Sequence, residues 1–238
     1  MPKLNTANPE VQAYIYNVMV FWLNEYHIDG WRLDVADEID PSLWTRIRYR
    51  IKSAYPDCLL LGETWGDGFS LLDEKSVDSI MNYVFRDSVR DFLARGSIDA
   101  KMFNHRICQM RSHYPEEIRQ ALFQPLDSHD TERFLWNCSG DIRRLKLAAL
   151  FQLCFPGAPS IYYGDEIGLN GDNDPDCRRC MEWNPAKQNA DVLSFYKKII
   201  RIRKKNPCLR TGNIVPLVCE KMTYGYLCQS DNQQIYVL

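Results

Sequence analysis

The chain has 238 residues, enough for one large domain or two small ones, and is 45% hydrophobic, 25% charged and 12% aromatic, a composition that excludes a disordered chain. Its formal net charge of −2, with both signs interspersed and no basic arm or acidic tail, argues against nucleic acid or an anionic membrane as partner. No apolar run approaches the ~18 residues of a membrane span, and the N-terminus shows no charged region followed by an apolar core, so no export signal is expected.

In chain order, Asn8 and Pro9 supply a cap and a first-turn proline, and Val11, Ile15, Val18 and Trp22 follow at helical spacing. His27 to Gly30 reads as a turn and Trp31 to Val35 as a strand. A second helix runs from Pro41 to about Ala54, and Cys58 to Leu61 is a continuous apolar run suited to a strand buried on both faces. Further strands are expected at Ser79–Tyr83, Ala121–Leu126 and Ser160–Tyr163, and helices at Val84–Ala94, Ile142–Leu153 and Asp191–Lys204. Strands alternating with helices predict βα units on a parallel sheet. From Pro207 the pattern changes to three short strands, Val215–Cys219, Tyr224–Cys228 and Gln234–Leu238, the start of a separate β region.

The nine cysteines are odd in number and scattered, with Cys58, Cys108 and Cys154 in apparent core segments. Free thiols in a reducing, cytoplasmic setting are expected. The one C-x-x-C, Cys177 to Cys180, has no second pair to complete a zinc site, so no metal site is assigned to it.

Polar residues collect just after successive strands. Asp34 follows the first, Gly62-Glu63 the second, Asp127-Ser128-His129-Asp130 a later one, and Gly164-Asp165-Glu166 the last. In a parallel barrel the strand C-termini surround one mouth, where residues distant in sequence converge. Three carboxylates and one histidine, without a hydroxyl nucleophile, leave two chemistries open: glycoside hydrolysis by a carboxyl pair and metal-assisted hydrolysis. Only four histidines are present, which weakens the metal reading. The aromatics Trp31, Trp65, Tyr83 and Trp183 favour sugar, whose rings stack on flat apolar faces, whereas Trp22 and Trp44 are expected in the core.

At these residues the chain resembles the α-amylase family of glycoside hydrolases. Gly30-Trp31-Arg32-Leu33-Asp34 is similar to the strand-4 motif, Leu61-Gly62-Glu63-Thr64-Trp65 to the strand-5 motif, Phe123 to Asp130 to the strand-7 motif, and Pro156 to Glu166 to the strand-8 motif. The resemblance implies the C-terminal half of a (β/α)8 TIM barrel, from about strand 4 to helix 8, over residues 1–207. The beginning of a β-sandwich domain, an all-β C-terminal domain, would occupy residues 208–238. It implies Asp34 as nucleophile, Glu63 as general acid/base and Asp130 as the stabiliser of the transition state. Arg32 would hold the nucleophile, and His129, Trp65, Glu38, Asp174 and Arg178 would bind substrate. Asp174 and Arg178, in Asn173-Asp174-Pro175-Asp176-Cys177-Arg178, and Val35-Ala36-Asp37-Glu38 resemble the neopullulanase/cyclomaltodextrinase/maltogenic amylase group, in which Asn is usual where this chain has Asp37. Asp37 and Glu38 then line the acceptor side, and Asp40 caps the helix opened by Pro41.

The implied activity is retaining hydrolysis of α-1,4 bonds, with α-1,6 bonds as a second class, in maltodextrins, cyclodextrins or pullulan. Other implied properties are α-glucan oligosaccharides as partners, no nucleic acid or membrane partner, no cofactor within this segment and a homodimeric full-length parent. A structural calcium would belong to the barrel half preceding this segment. The Asp172–Asp176 loop lacks the glycine and distal glutamate of an EF-hand and reads as a substrate loop. The strand-3 motif is missing, so the sequence reads as the second half of a barrel and is expected to be weakly active or inactive alone. The other class of function is a catalytically dead amylase-like scaffold that only binds carbohydrate.

Overall fold

A computed structural model describes residues 4–73 and 75–238. It divides into two compact units, Met1–Asn82 and Tyr83–Leu238.

The first unit begins with helix α1, Pro9–Tyr26, capped by the Asn8 side chain, which accepts from the Glu10 amide at 2.8 Å. It ends at His27, whose φ of 51° turns the chain toward strand β1, Gly30–Leu33. Helix α2, Pro41–Ala54, follows, with Asp40 accepting from the Ser42 amide as its N-cap, as expected. Its buried stripe is Leu43, Trp44, Ile47 and Ile51, a helical spacing that gives one apolar face. Strand β2, Leu59–Gly62, pairs parallel to β1, with Arg32 opposite Leu61 and Leu33 opposite Gly62. A short helix α3, Phe69–Asp73, leads to strand β3, Ser79–Ile80, also parallel to β2. Gly30 is required where it stands, because a Cβ there would lie 2.3 Å from the Leu59 carbonyl oxygen.

The second unit opens with helix α4, Tyr83–Val89, continued by a π-helical turn over Arg90–Ala94. Helices α5, Ala100–His113, and α6, Glu116–Ala121, precede strand β4, Phe123–Pro125. Helices α7, Phe134–Asn137, and α8, Ile142–Cys154, lead to strand β5, Ala158–Ser160, parallel to β4. The buried Gln152 side chain fastens that pair, donating to the Gln124 and Ser160 carbonyl oxygens at 2.8 and 2.7 Å. After a long loop come α9, Ala190–Lys205, and the four-residue α10, Cys208–Thr211. Strands β6, Asn213–Glu220, β7, Thr223–Ser230, and β8, Gln233–Val237, then form an antiparallel sheet.

An aromatic cluster fills the core of the second unit. Phe151 lies 5.6 Å from Phe85, 5.2 Å from Phe103 and 5.1 Å from Phe155, centroid to centroid, and Tyr226 of β7 meets Phe155 at 6.2 Å. The C-terminal sheet is therefore packed onto the helices through its own aromatics. Arg203 of α9 adds a polar clamp, its Nη1 donating to the carbonyl oxygens of Leu153, Phe155 and Leu209.

Several expectations need correction. The first strand stops at Leu33 instead of Val35, the Ser79 strand stops at Ile80, and the chain leaves the last parallel strand at Ser160. Trp22 is 42% exposed and not in the core; its ring lies tilted against that of exposed Tyr26, with centroids 4.7 Å apart, on α1. Cys108 is exposed on α5, whereas Cys58 and Cys154 are buried as expected. Among the described residues, no helix is long and apolar enough to cross a membrane.

Candidate active site

In the first unit the site is built on the ends of β1 and β2. Parallel pairing puts Leu33 beside Gly62, so the next residues, Asp34 and Glu63, emerge from neighbouring strand ends. The backbone locks them there: the Glu63 amide donates to the Leu33 carbonyl oxygen and the Ala36 amide to the Glu63 carbonyl oxygen, both at 2.8 Å. One guanidinium serves both acids. Arg32 Nη1 meets Asp34 Oδ1 at 2.7 Å and Arg32 Nη2 meets Glu63 Oε1 at 2.7 Å. The planar fork of arginine suits such a bridge, which a single ammonium would not span.

The two carboxylates differ in environment. The Asp34 side chain is 75% exposed and that of Glu63 is 2% exposed. Glu63 accepts at its second oxygen from the Val35 amide at 2.9 Å. Val35 adopts φ 41° and ψ 50°, a left-handed conformation rarely taken by a β-branched residue. That twist ends the strand and turns the amide toward Glu63.

Around this pair, Asp37 accepts from the hydroxyl of buried Thr64 at 2.7 Å, and Glu38 lies exposed on the same short 3-10 turn, Ala36–Glu38. Trp65, two residues past Glu63, is 50% exposed. Trp44, a core residue as expected, donates its indole N–H to the Ala36 carbonyl oxygen at 2.9 Å and so supports the turn from beneath.

In the second unit a separate polar group forms after β4. Asp130 Oδ2 meets His129 Nε2 at 3.0 Å, and Asp130 Oδ1 meets Arg178 Nη2 at 3.5 Å. Arg178 Nε lies 3.0 Å from Asp174 Oδ1 and donates to the His129 carbonyl oxygen at 2.9 Å. Four residues singled out in the sequence, His129, Asp130, Asp174 and Arg178, thus meet in one cluster. In the Asp172–Asp176 loop, Arg179 pairs with Asp176 at 2.8 Å and, with the Asp172 amide, holds its carboxyl below the usual carboxylate range. Cys177 is buried with its thiol donating to the His129 carbonyl oxygen, while Cys180 is exposed. Trp183 is 79% exposed. Tyr83 does not offer a ring to solvent: it is buried, with its hydroxyl 3.0 Å from that of Ser128.

One residue escaped the sequence reading. Arg133 is fully buried and gathers the loops behind the cluster, donating to the Cys177 and Tyr163 carbonyl oxygens and to Asp165 Oδ1 at 3.2 Å. Its guanidinium also lies 4.0 Å from the ring centroid of Tyr162. No motif marks it, because its partners are mostly backbone carbonyls. Asp127 and Asp165, read as strand-end acids, are buried instead. Burial, and for Asp165 also the neighbouring charge of Asp127, pushes the pair above the usual carboxylate range. The Phe134 amide donates to Asp127 at 2.6 Å and favours its ionised form, so the shared proton sits on Asp165.

Residues 1–190 match the family described as alpha amylase, catalytic domain, and the chain belongs to that family. It is 44% identical over 238 residues to a cyclomaltodextrinase of Thermoanaerobacter pseudethanolicus, covering all of this chain and 42% of that protein. It is 45% identical over 240 residues to neopullulanase 2 of Thermoactinomyces vulgaris, covering all of this chain and 41% of that protein. A solved cyclomaltodextrinase structure superposes with a TM-score of 0.96 at 42% identity, over all of this chain and 41% of that one. The chain therefore spans about two fifths of the length of these relatives.

Proposed function

We propose that this chain supplies the catalytic residues of a retaining glycoside hydrolase acting on α-glucans. Its bonds are α-1,4-glucosidic, with α-1,6 as a second class, in maltodextrins, cyclodextrins or pullulan, the substrates suggested by the names of its relatives. The observation that carries the reading is the Arg32 bridge between Asp34 and Glu63. It holds one exposed and one buried carboxyl side by side, each on a rigid strand end.

In this scheme Asp34 attacks the anomeric carbon as a carboxylate while Glu63, paired with Arg32 when ionised and protonated in the productive complex, passes a proton to the leaving oxygen. Glu63 then takes a proton from the water that releases the glycosyl group. Retention needs the two carboxyls roughly 5–5.5 Å apart, and a shared guanidinium favours so short a spacing. Asp130 and His129 bind sugar hydroxyls as the ring flattens, Asp174 and Arg178 bind the non-reducing end, Asp37 and Glu38 line the acceptor side, and Trp65 stacks on a sugar ring. Two carboxyls and water complete the reaction without a cofactor. Residues 1–207 would be the second half of the (β/α)8 barrel and residues 208–238 the start of its C-terminal β domain, within a cytoplasmic homodimer.

The test is the anomeric form of the first product released from maltotriose by the intact polypeptide, read by proton NMR. The α-anomer is expected, and a β-anomer would refute retention. Asp34→Asn should abolish turnover and leave maltodextrin binding in place; a variant keeping a tenth of the wild-type rate would remove Asp34 as nucleophile. The 238-residue chain alone should release little or no reducing sugar from cyclodextrin, because half a barrel leaves a strand edge unpaired.

A further inference from the structure

Two thiols with no part in the candidate site lie in contact within the second unit. Cys208 opens α10 and Cys228 lies on β7, and both are fully buried. Their sulfurs are 3.5 Å apart: the Cys208 thiol donates to Cys228 Sγ, and the Cys228 thiol donates to the Cys208 carbonyl oxygen at 3.0 Å. The backbone closes in on them, since a Cβ at Gly212 would lie 2.8 Å from Cys208 Sγ and 2.9 Å from Cys228 Sγ. Burial and the neighbouring Cys208 push the Cys228 thiol up to about 12, so the reduced pair is stable at neutral pH and reacts only when α10 opens locally.

We infer that Cys208 and Cys228 are a cross-linking pair, which a small-molecule disulfide converts into a disulfide tying α10 to the C-terminal sheet. The sulfurs must close by about 1.5 Å to reach bonding distance near 2.05 Å, a movement that side-chain rotation can supply. In the first step one cysteine, as thiolate, attacks the small disulfide, forming a mixed disulfide and expelling one small thiolate. In the second, the other cysteine attacks the protein sulfur of that mixed disulfide and expels the second. The protein loses two hydrogens, and the small disulfide is reduced to two thiols. The new bond closes a loop that contains β6, restricting the unfolded chain. In a reducing compartment the pair stays open, and under oxidative stress it locks the sheet to the helix before it.

The chain is incubated with oxidised glutathione and mapped by mass spectrometry without reduction, alongside Cys208→Ser and Cys228→Ser. The expected result is a Cys208–Cys228 linked peptide in wild type only, with a thermal midpoint raised by several degrees and restored by dithiothreitol. Parallel labelling with N-ethylmaleimide reports whether the pair opens, and circular dichroism checks folding, with Cys228→Ala replacing a serine variant that fails. The inference falls if the thiols label but never link, if they neither label nor link below the unfolding temperature, if the link joins other cysteines, or if linking lowers the midpoint.

Discussion

Removing Arg32 should expose how unequally it serves its two acids. In Arg32→Met, Glu63 keeps the Val35 amide but loses its counter-charge while only 2% exposed. Stripping one partner from a fully buried ion pair costs about 3–5 kcal/mol. Arg32 is itself 31% exposed, so water can enter its end of the pair, and the cost should fall to about 2 kcal/mol. Asp34, 75% exposed, gains under about 0.5 kcal/mol from the same guanidinium. Two double-mutant cycles separate these: Arg32→Met with Glu63→Gln, and Arg32→Met with Asp34→Asn. Urea unfolding followed by tryptophan fluorescence is a suitable readout, because four of the six tryptophans, Trp22, Trp31, Trp44 and Trp65, lie in the first unit. The coupling of Arg32 to Glu63 should exceed that to Asp34 at least about fourfold, with unchanged denaturant slopes. Equal couplings, or a larger one to Asp34, would refute the view that Arg32 is chiefly the counter-charge of the buried acid.

Two further outcomes follow from buried charge in the second unit. Because burial raises the Asp127–Asp165 pair in the folded state, its stabilising contribution is full below the ordinary carboxylate range and lost as pH rises through the raised value. Asp165→Asn, which stays neutral and can still donate to Asp127, should flatten the fall of the urea midpoint as pH rises above the ordinary carboxylate range, and an unchanged slope would contradict it. Arg203→Met removes the donor to four carbonyl oxygens at once, those of Leu153, Phe155, Gly157 and Leu209, and should cost about 3 kcal/mol in urea unfolding; a loss below about 1 kcal/mol would mean that those carbonyls find other donors.

Much of the molecule could be read before it was seen, and what could not has identifiable causes. Caps wrote themselves into the sequence: Asn8-Pro9 and Asp40-Pro41 start their helices where expected, since a side-chain acceptor followed by proline leaves little alternative. The acids after β1, β2 and β4 were legible because strand ends display them. The end of β1 was not, because Val35 favours a strand by propensity and is held left-handed by contacts made elsewhere. Helix α6 buries none of its residues and so carries no apolar period to read, whereas α5 has one at Ala100, Phe103, Ile107 and Met110 that the sequence reading passed over. Arg133 and Asp165 were illegible for another reason, since a charged residue in a loop sequence reads as solvated until its burial is known.

The choice between a hydrolase and a carbohydrate-binding scaffold can be argued from what the site costs. Burying the Glu63 carboxylate beside Arg32 is dear in desolvation, and an apolar pair of similar volume would commonly be as stable or more so. Holding Val35 left-handed costs on the order of 1–3 kcal/mol, against which its amide secures one oxygen of Glu63. A surface that only stacks and hydrogen-bonds sugar has no use for either expense, because exposed aromatic rings and neutral polar groups suffice for such contacts. A reaction that needs one carboxyl shielded from water and another open to attack uses both. The asymmetry between Asp34 and Glu63 supports the proposed assignment of nucleophilic attack to the exposed acid and proton transfer to the buried one.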